Sequence, residues 1–137
     1  MPYRFKTKGE MLVECADQSL LELHACDSTS CGRFRTYNRT HCGRCVPCMV
    51  RKAAIKHWGK VDTTNYKFRS LSSAGKIKAD DPMALACAVL SSEQKGIDYF
   101  LGATLSFASQ ADRPRYRRVI EQGLKELSVL LRRDGVI

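Results

Sequence analysis

No aspartate or glutamate occurs from Ser28 to Val61. The same window holds Arg33, Arg35, Arg39, Arg44, Arg51, Lys52, Lys56 and Lys60, and the whole chain carries a formal charge of +9. An acid-free stretch of this kind attracts phosphates and other anions, or else forms a solvated basic face. Long apolar runs are also missing. The longest, Met83 to Leu90, is too short to span a bilayer. Residues 1–8 have no apolar signal-peptide core. A cytoplasmic protein with no membrane partner is the expectation. Aromatic residues are scarce in the basic window: only Phe34, Tyr37 and Trp58 offer a face on which a base could stack.

Catalytic patterns are absent as well. There is no Gly-x4-Gly-Lys-Ser/Thr loop and no Ser-Gly-Gly-x-Asp-Ser phosphate loop; Ser73-Ala74-Gly75-Lys76 is a fragment of neither. No carboxylates are paired, and His24, His41 and His57 form no nucleophile-activating arrangement with a serine or cysteine. No repeat or low-complexity tract is visible. Strand-like alternation is missing except for a weak stretch from Tyr3 to Phe5.

Cysteine is what the chain has in concentration. Cys31, Cys42, Cys45 and Cys48 follow the pattern Cys-x10-Cys-x2-Cys-x2-Cys. Four thiolates complete the tetrahedral shell of a structural zinc ion and leave no open position for catalysis. If residues 42–48 formed one helix, at about 100° per residue Cys48 would face away from Cys42. The spacing therefore predicts a tight knuckle from Cys42 to Cys45, with Gly43 at positive φ. Pro47 suits the first turn of a helix, which places Cys48 at a helix N-terminus where a thiolate is favoured. Cys31 closes the shell from an upstream loop. His41 is the alternative fourth ligand. Structural disulfides and a Cys45-x2-Cys48 redox dithiol are the competing uses of these sulfurs; the total of seven cysteines would leave one unpaired. Cys15, Cys26 and Cys87 lack ligand spacing and are expected to be buried as small apolar residues.

The remaining signals are helical. Thr7-Lys8-Gly9-Glu10 matches a capping box, predicting a helix with Met11, Leu12, Cys15 and Ala16 on one face. A second helix is expected from Pro47 to Trp58, stopped by Gly59, with Val50, Ala53, Ala54 and Ile55 packed back on the zinc knuckle. Residues 60–80 read as an irregular loop. Asp81-Pro82 starts a helix carrying Met83, Leu85, Ala86, Val89 and Leu90 and ending near Gly96. Ile97 to Phe107 is helical or mixed. Asp112 is expected to cap a long helix to about Arg133, with an apolar stripe of Tyr116, Val119, Ile120, Leu124, Leu127, Leu130 and Leu131. The expected fold class is mainly α: helices around a metal-stapled loop.

Ser30-Cys31, Cys42-Gly43-Arg44-Cys45-Val46-Pro47-Cys48 and Arg51 resemble the C-terminal zinc motif of the 7-cyano-7-deazaguanine synthase (QueC) family, which runs Ser-Cys-Tyr, a short loop, Cys-Gly-x-Cys-x-x-Cys and then x-x-Arg. Thr7-Lys8-Gly9-Glu10 is similar to the Thr-Lys-Ala-Glu segment that opens a helix upstream in that family. The resemblance covers residues 1 to about 60. It implies that residues 1–27 are the end of an α/β nucleotide-binding region of the ATP-pyrophosphatase, Rossmann-like type. Residues 28–60 would then be the zinc site with its helix, and residues 61–137 a helical extension. It further implies that Lys8, Arg51 and Arg44 serve a substrate or phosphate, and that the chain lacks the ATP-binding half. In the complete enzyme ATP activates a 7-carboxy-7-deazaguanine-type substrate, and ammonia then gives the amide and the nitrile, a ligase-like step of queuosine biosynthesis. Gly32 replaces the family's Tyr, and Val46-Pro47 its Asp-Ser. With these departures the chain looks more like the QueC-like proteins encoded in bacterial anti-phage defence operons.

The expected partners are accordingly the missing N-terminal half or proteins encoded in the same operon, with homo-oligomerisation and nucleic acid left open. A basic zinc-knuckle nucleic-acid binder is the main alternative function.

Overall fold

The computed structural model describes residues 2–72 and 81–137. The Ser73-Ala74-Gly75-Lys76 fragment and the end of the expected 60–80 loop lie outside those residues. Six helices follow one another among the described residues: α1 (Lys8–Val13), α2 (Gln18–His24), α3 (Val46–Trp58), α4 (Asp81–Lys95), α5 (Ile97–Leu101) and α6 (Arg113–Arg133), with a short 3-10 turn over Ala25–Asp27. The architecture is mainly α. The weak strand expectation at Tyr3 to Phe5 fails: these residues form a turn.

Helix α1 begins as its capping box requires. The Glu10 amide donates to Thr7 Oγ1 (3.1 Å), and the Thr7 amide donates to Glu10 Oε2 (2.7 Å). The helix ends at Val13, so Cys15 and Ala16 do not extend its face as expected. Gln18 is the reason. Its side-chain amide donates to the carbonyls of Leu12 (3.0 Å), Val13 (3.2 Å) and Cys15 (2.7 Å), satisfying acceptors that a helix end leaves open. Its Oε1 accepts from Trp58 Nε1 (2.7 Å), tying α1 and α2 to the end of α3. Helix α2 itself was not foreseen. Asp17 caps it, accepting from the Leu20 amide at 2.9 Å.

Helix α3 starts one residue before Pro47 and stops at Gly59, which is left-handed at φ 80°. Its apolar side does not pack on the cysteine knuckle, contrary to the sequence expectation. Met49 and Ala53 join Leu71, Ala86 and Val89, and Leu127, Leu130 and Leu131 of α6, in one core, with Val50 against its edge. Ile55 faces a cleft beside α1 instead. The physical reason is area. The knuckle is already enclosed by aromatic rings, while α4 and α6 offer leucine and valine faces against which α3 buries its apolar side.

Helix α4 matches the expectation in length, although Met83 is half exposed. Helix α6 has the expected span, but Asp112 makes no capping bond. Its carboxylate pairs with Arg4 at 3.1 Å. Tyr116 leaves the leucine stripe to pack edge-on against Phe5 (5.1 Å) and Phe107 (5.3 Å). A buried glutamate on α6 escaped the sequence analysis. Glu126 Oε1 accepts from Thr7 Oγ1 at 2.6 Å and from Gln122 Nε2 at 3.3 Å, joining the start of α1 to α6. Gly9 makes this approach feasible: a β-carbon there would lie 2.7 Å from Glu126 Oε2.

Two glycine-to-alanine changes should consequently act in opposite directions. Gly9→Ala pushes Glu126 off Thr7 and is expected to destabilise the fold by about 1–2 kcal/mol. Gly123→Ala, inside α6 where an added β-carbon meets open space, is expected to stabilise it by up to about 1 kcal/mol. Denaturant unfolding of both variants checks the signs. Pairing Gly9→Ala with Glu126→Ala should abolish most of the Gly9 penalty.

Candidate metal centre

The knuckle is built by three local features. Cys45 is the N-cap residue of α3, with extended backbone (φ −71°, ψ 157°), so the chain turns sharply between Cys42 and the helix. Cys48 sits in the first turn of α3 and is fully buried. Gly43 has φ 84°, and a β-carbon there would stand 2.1 Å from the Phe68 carbonyl oxygen. Cys31 arrives from the loop after the 3-10 turn.

The four sulfurs of Cys31, Cys42, Cys45 and Cys48 lie within 4.8 Å of one another, and all four residues are buried. Cys42 and Cys48 are 3.9 Å apart at sulfur, as are Cys31 and Cys45. Bond lengths of about 2.3 Å in a tetrahedral zinc–thiolate site place its sulfurs about 3.8 Å apart. A disulfide would need about 2.05 Å, and every cysteine is free. The group can hold a metal ion. His41, the alternative ligand, stands outside this set. Its ring packs edge-on against Phe34 (5.4 Å) and Tyr66 (5.9 Å).

Backbone amides point at the sulfurs. The amides of Arg33 (3.3 Å) and Cys42 (3.2 Å) donate to Cys31 Sγ. Those of Cys45 (3.3 Å) and Arg44 (3.5 Å) donate to Cys42 Sγ. Burial works against ionisation of the Cys42 thiol, but these two amides together with the neighbouring Cys45 and Cys31 thiols outweigh it, and its pKa falls. Burial pushes the thiols of Cys45 and Cys48 up. A buried cluster with these opposing demands ionises together only around a cation, which deprotonates a coordinating thiol outright. The redox alternative fares worse, because a reactive dithiol needs an accessible thiolate of lowered pKa, and Cys48 is neither accessible nor lowered. The three other cysteines were expected to be buried. Cys15 and Cys26 are only half buried and Cys87 is exposed, since Cys87 falls on the solvent side of α4.

The segment that the sequence showed only as an irregular loop closes the site. His41 and Tyr66 form an isolated parallel bridge; the Lys67 amide donates to the His41 carbonyl (2.8 Å) and the Phe68 amide to the Cys42 carbonyl (3.1 Å). Tyr66 packs into the cysteine cluster, with Phe34 and Tyr37 beside it. Arg44 holds the same loop by donating to the Leu71 and Ser70 carbonyls. Arg51 is almost wholly buried. Its guanidinium donates to Thr64 Oγ1 (3.1 Å), Ser28 Oγ (2.9 Å) and the Ala25 carbonyl (2.6 Å), pinning the approach to Cys31 and the closing loop onto α3.

Compared with protein-family models, curated proteins and solved structures, the chain matches none of them. The site must be read from its own geometry. Of the residues that the sequence singles out for an anionic ligand, Lys8 and Arg51 line one cleft of about 380 Å³, together with Met11, Leu12, Leu21 and Ile55. Arg44 lies apart from it, in the knuckle, with its guanidinium on the closing loop. No helix among the described residues is long and apolar enough to cross a membrane.

The tightest steric demand in the centre is at Gly43. Gly43→Ala combines a left-handed alanine with a clash on backbone, and should cost about 3 kcal/mol or more. Thermal unfolding and metal content measured together should both fall, whereas a purely local helix defect would lower the first alone.

Proposed function

We propose that the chain is a zinc-stapled binding and scaffolding module that corresponds to the C-terminal part of a QueC-like enzyme, in its defence-associated form, and that has no catalytic activity alone. The observation that carries the metal half is the convergence of four buried sulfurs within 4.8 Å of one another, with the Cys42–Cys48 and Cys31–Cys45 pairs at 3.9 Å, near the spacing of a tetrahedral zinc–thiolate shell. Cys31, Cys42, Cys45 and Cys48 would hold the ion. With four protein thiolates the ion has no free position, so its contribution is to fix the knuckle and the start of α3 rather than to activate water.

The enzyme half rests on the motif resemblance and on the meeting of Lys8 and Arg51 in one cleft. In this reading an ATP-binding partner supplies the phosphate loop, and the cleft receives part of the anionic substrate. The two cations differ in kind. Arg51 is consumed by three hydrogen bonds inside the protein, so its replacement damages the fold. Lys8 is exposed, and it is the clean probe.

Protein purified without added metal is expected to contain about one zinc ion per chain by elemental analysis, and Cys45→Ser to lose the ion and unfold more readily. Metal-free protein that is fully folded with reduced thiols contradicts the metal half. The chain alone should release no pyrophosphate from ATP. Combined with a QueC-like ATP-binding half, it should support turnover that Lys8→Ala reduces about tenfold or more with zinc content unchanged, a loss appropriate to one charged ligand contact. Full turnover by Lys8→Ala contradicts the enzyme half and leaves the metal centre standing.

A further inference from the structure

A second concavity, of about 460 Å³, opens where α3 and α6 both end, away from the Lys8 cleft. It is lined by Lys52 and Lys56 of α3, Lys60 just past the helix stop, Arg69 of the closing loop and Arg133 of α6. Among the described residues, Asp62 is the single carboxylate in that lining. Its charge is directed into the loop: Oδ1 accepts from the Thr64 amide (3.0 Å) and Oδ2 from the Tyr66 hydroxyl (2.8 Å). Lys60 pairs with Glu22 (2.7 Å) and Arg133 with Asp134 (2.7 Å). Among the described residues, Lys56 and Arg69 make no ion pair. Even with Glu22 and Asp134 counted, cations outnumber carboxylates.

Lys52 is the most informative member. A lysine is rarely this buried without a carboxylate partner. Its ammonium donates to the Phe68 (3.3 Å) and Arg69 (2.8 Å) carbonyls and lies 4.5 Å from the centre of the Tyr66 ring. Carbonyls and a ring face orient the charge without neutralising it. The positions of Lys56 and Arg133 in the last turns of their helices also suit the helix dipoles. That account does not reach Lys60 and Arg69, which come from loops, or the burial of Lys52.

The lining also tells which part of a ligand is recognised. Tyr66, its one aromatic residue, is buried beneath Lys52, so no ring is free to stack on a base. Ammonium and guanidinium groups from three segments around an open polar hollow match phosphate oxygens. We propose that this concavity binds the phosphate groups of a nucleotide or a nucleic-acid backbone through Lys52, Lys56, Lys60, Arg69 and Arg133. The proposal goes beyond the zinc-module reading and does not depend on it.

The test compares two triple variants of the full chain. One carries Lys56→Ala, Arg69→Ala and Arg133→Ala in the lining; the other carries Arg35→Ala, Lys95→Ala and Lys125→Ala, which are exposed and outside it. Each removes the same charge. Tripolyphosphate, ATP and a short single-stranded DNA are titrated calorimetrically at low salt. The lining variant should bind tripolyphosphate about tenfold or more weakly than the parent chain, and the outside variant within about twofold of it. ATP binding equal to tripolyphosphate, with weaker DNA, supports a free nucleotide as the source. Tighter DNA that weakens steeply with salt supports a nucleic-acid backbone. No saturable binding of any probe by the parent chain, or equal losses in both variants, overturns the proposal. Zinc content and thermal midpoint are measured on the same samples, so that a failure of the metal centre is seen separately.

Discussion

Four buried sulfurs within 4.8 Å of one another face incompatible demands until they share a cation. As thiols they are weak hydrogen-bond partners in a space rich in backbone amides. As bare thiolates they repel one another, and burial already opposes ionisation of Cys45 and Cys48. A divalent ion removes both difficulties, and the neighbouring segments are organised as though around one. Amides of Arg33, Cys42, Arg44 and Cys45 are turned inward, while the rings of Phe34, Tyr37 and Tyr66 keep water away. The low dielectric that results strengthens each amide–sulfur bond and each metal–sulfur bond alike.

From that centre the constraint spreads through α3. Its first turn carries Cys48 into the sulfur cluster and Met49 into the leucine core of α6, which Ala53 joins from the middle of the helix, and its last turn meets Gln18 through Trp58. Arg51 links the same helix to Ser28 and Thr64, on the two loops that flank the sulfurs. Loss of the ion would thus be felt in the core as well as in the knuckle. The two ends of the chain are joined separately, by the Thr7–Glu126 hydrogen bond over Gly9. A β-carbon at Gly9 would lie 2.7 Å from Glu126 Oε2. Glycine at that position lets the buried carboxylate of α6 keep its hydrogen bond to Thr7.

Local signals in the sequence translated well into structure. The cysteine spacing, the capping box, the Gly59 stop and the leucine stripe each depend on residues a few places apart, and each appears where such rules put it. What stayed hidden depends on contacts between distant positions. Nothing near Glu126 marks it as buried, because its partner is Thr7. Tyr66 looks like an ordinary loop tyrosine until the bridge to His41 turns it into the wall of the cysteine site. Helix α2 had a readable start in Asp17-Gln18, but its leucines stay largely exposed, so no clean apolar periodicity accompanied it. The direction of the α3 apolar face was misjudged for the same reason: which neighbour a helix covers is decided by competing surfaces that are remote in sequence.

The acid-free window is not one uniform basic surface. The structure sorts its charges by the partners they find. Arg33 reaches Asp81, Arg44 and Arg51 hold loop carbonyls and hydroxyls, and none of these three needs a ligand to explain its position. Lys52 also holds loop carbonyls, but together with Lys56 and Lys60 it lines the same hollow as Arg69 and Arg133, which lie outside the window. Composition records only the total of +9. Within the window, the fold separates cations that build the scaffold of the cysteine centre from cations that line a shared cavity, and that separation is invisible in a sum of charges.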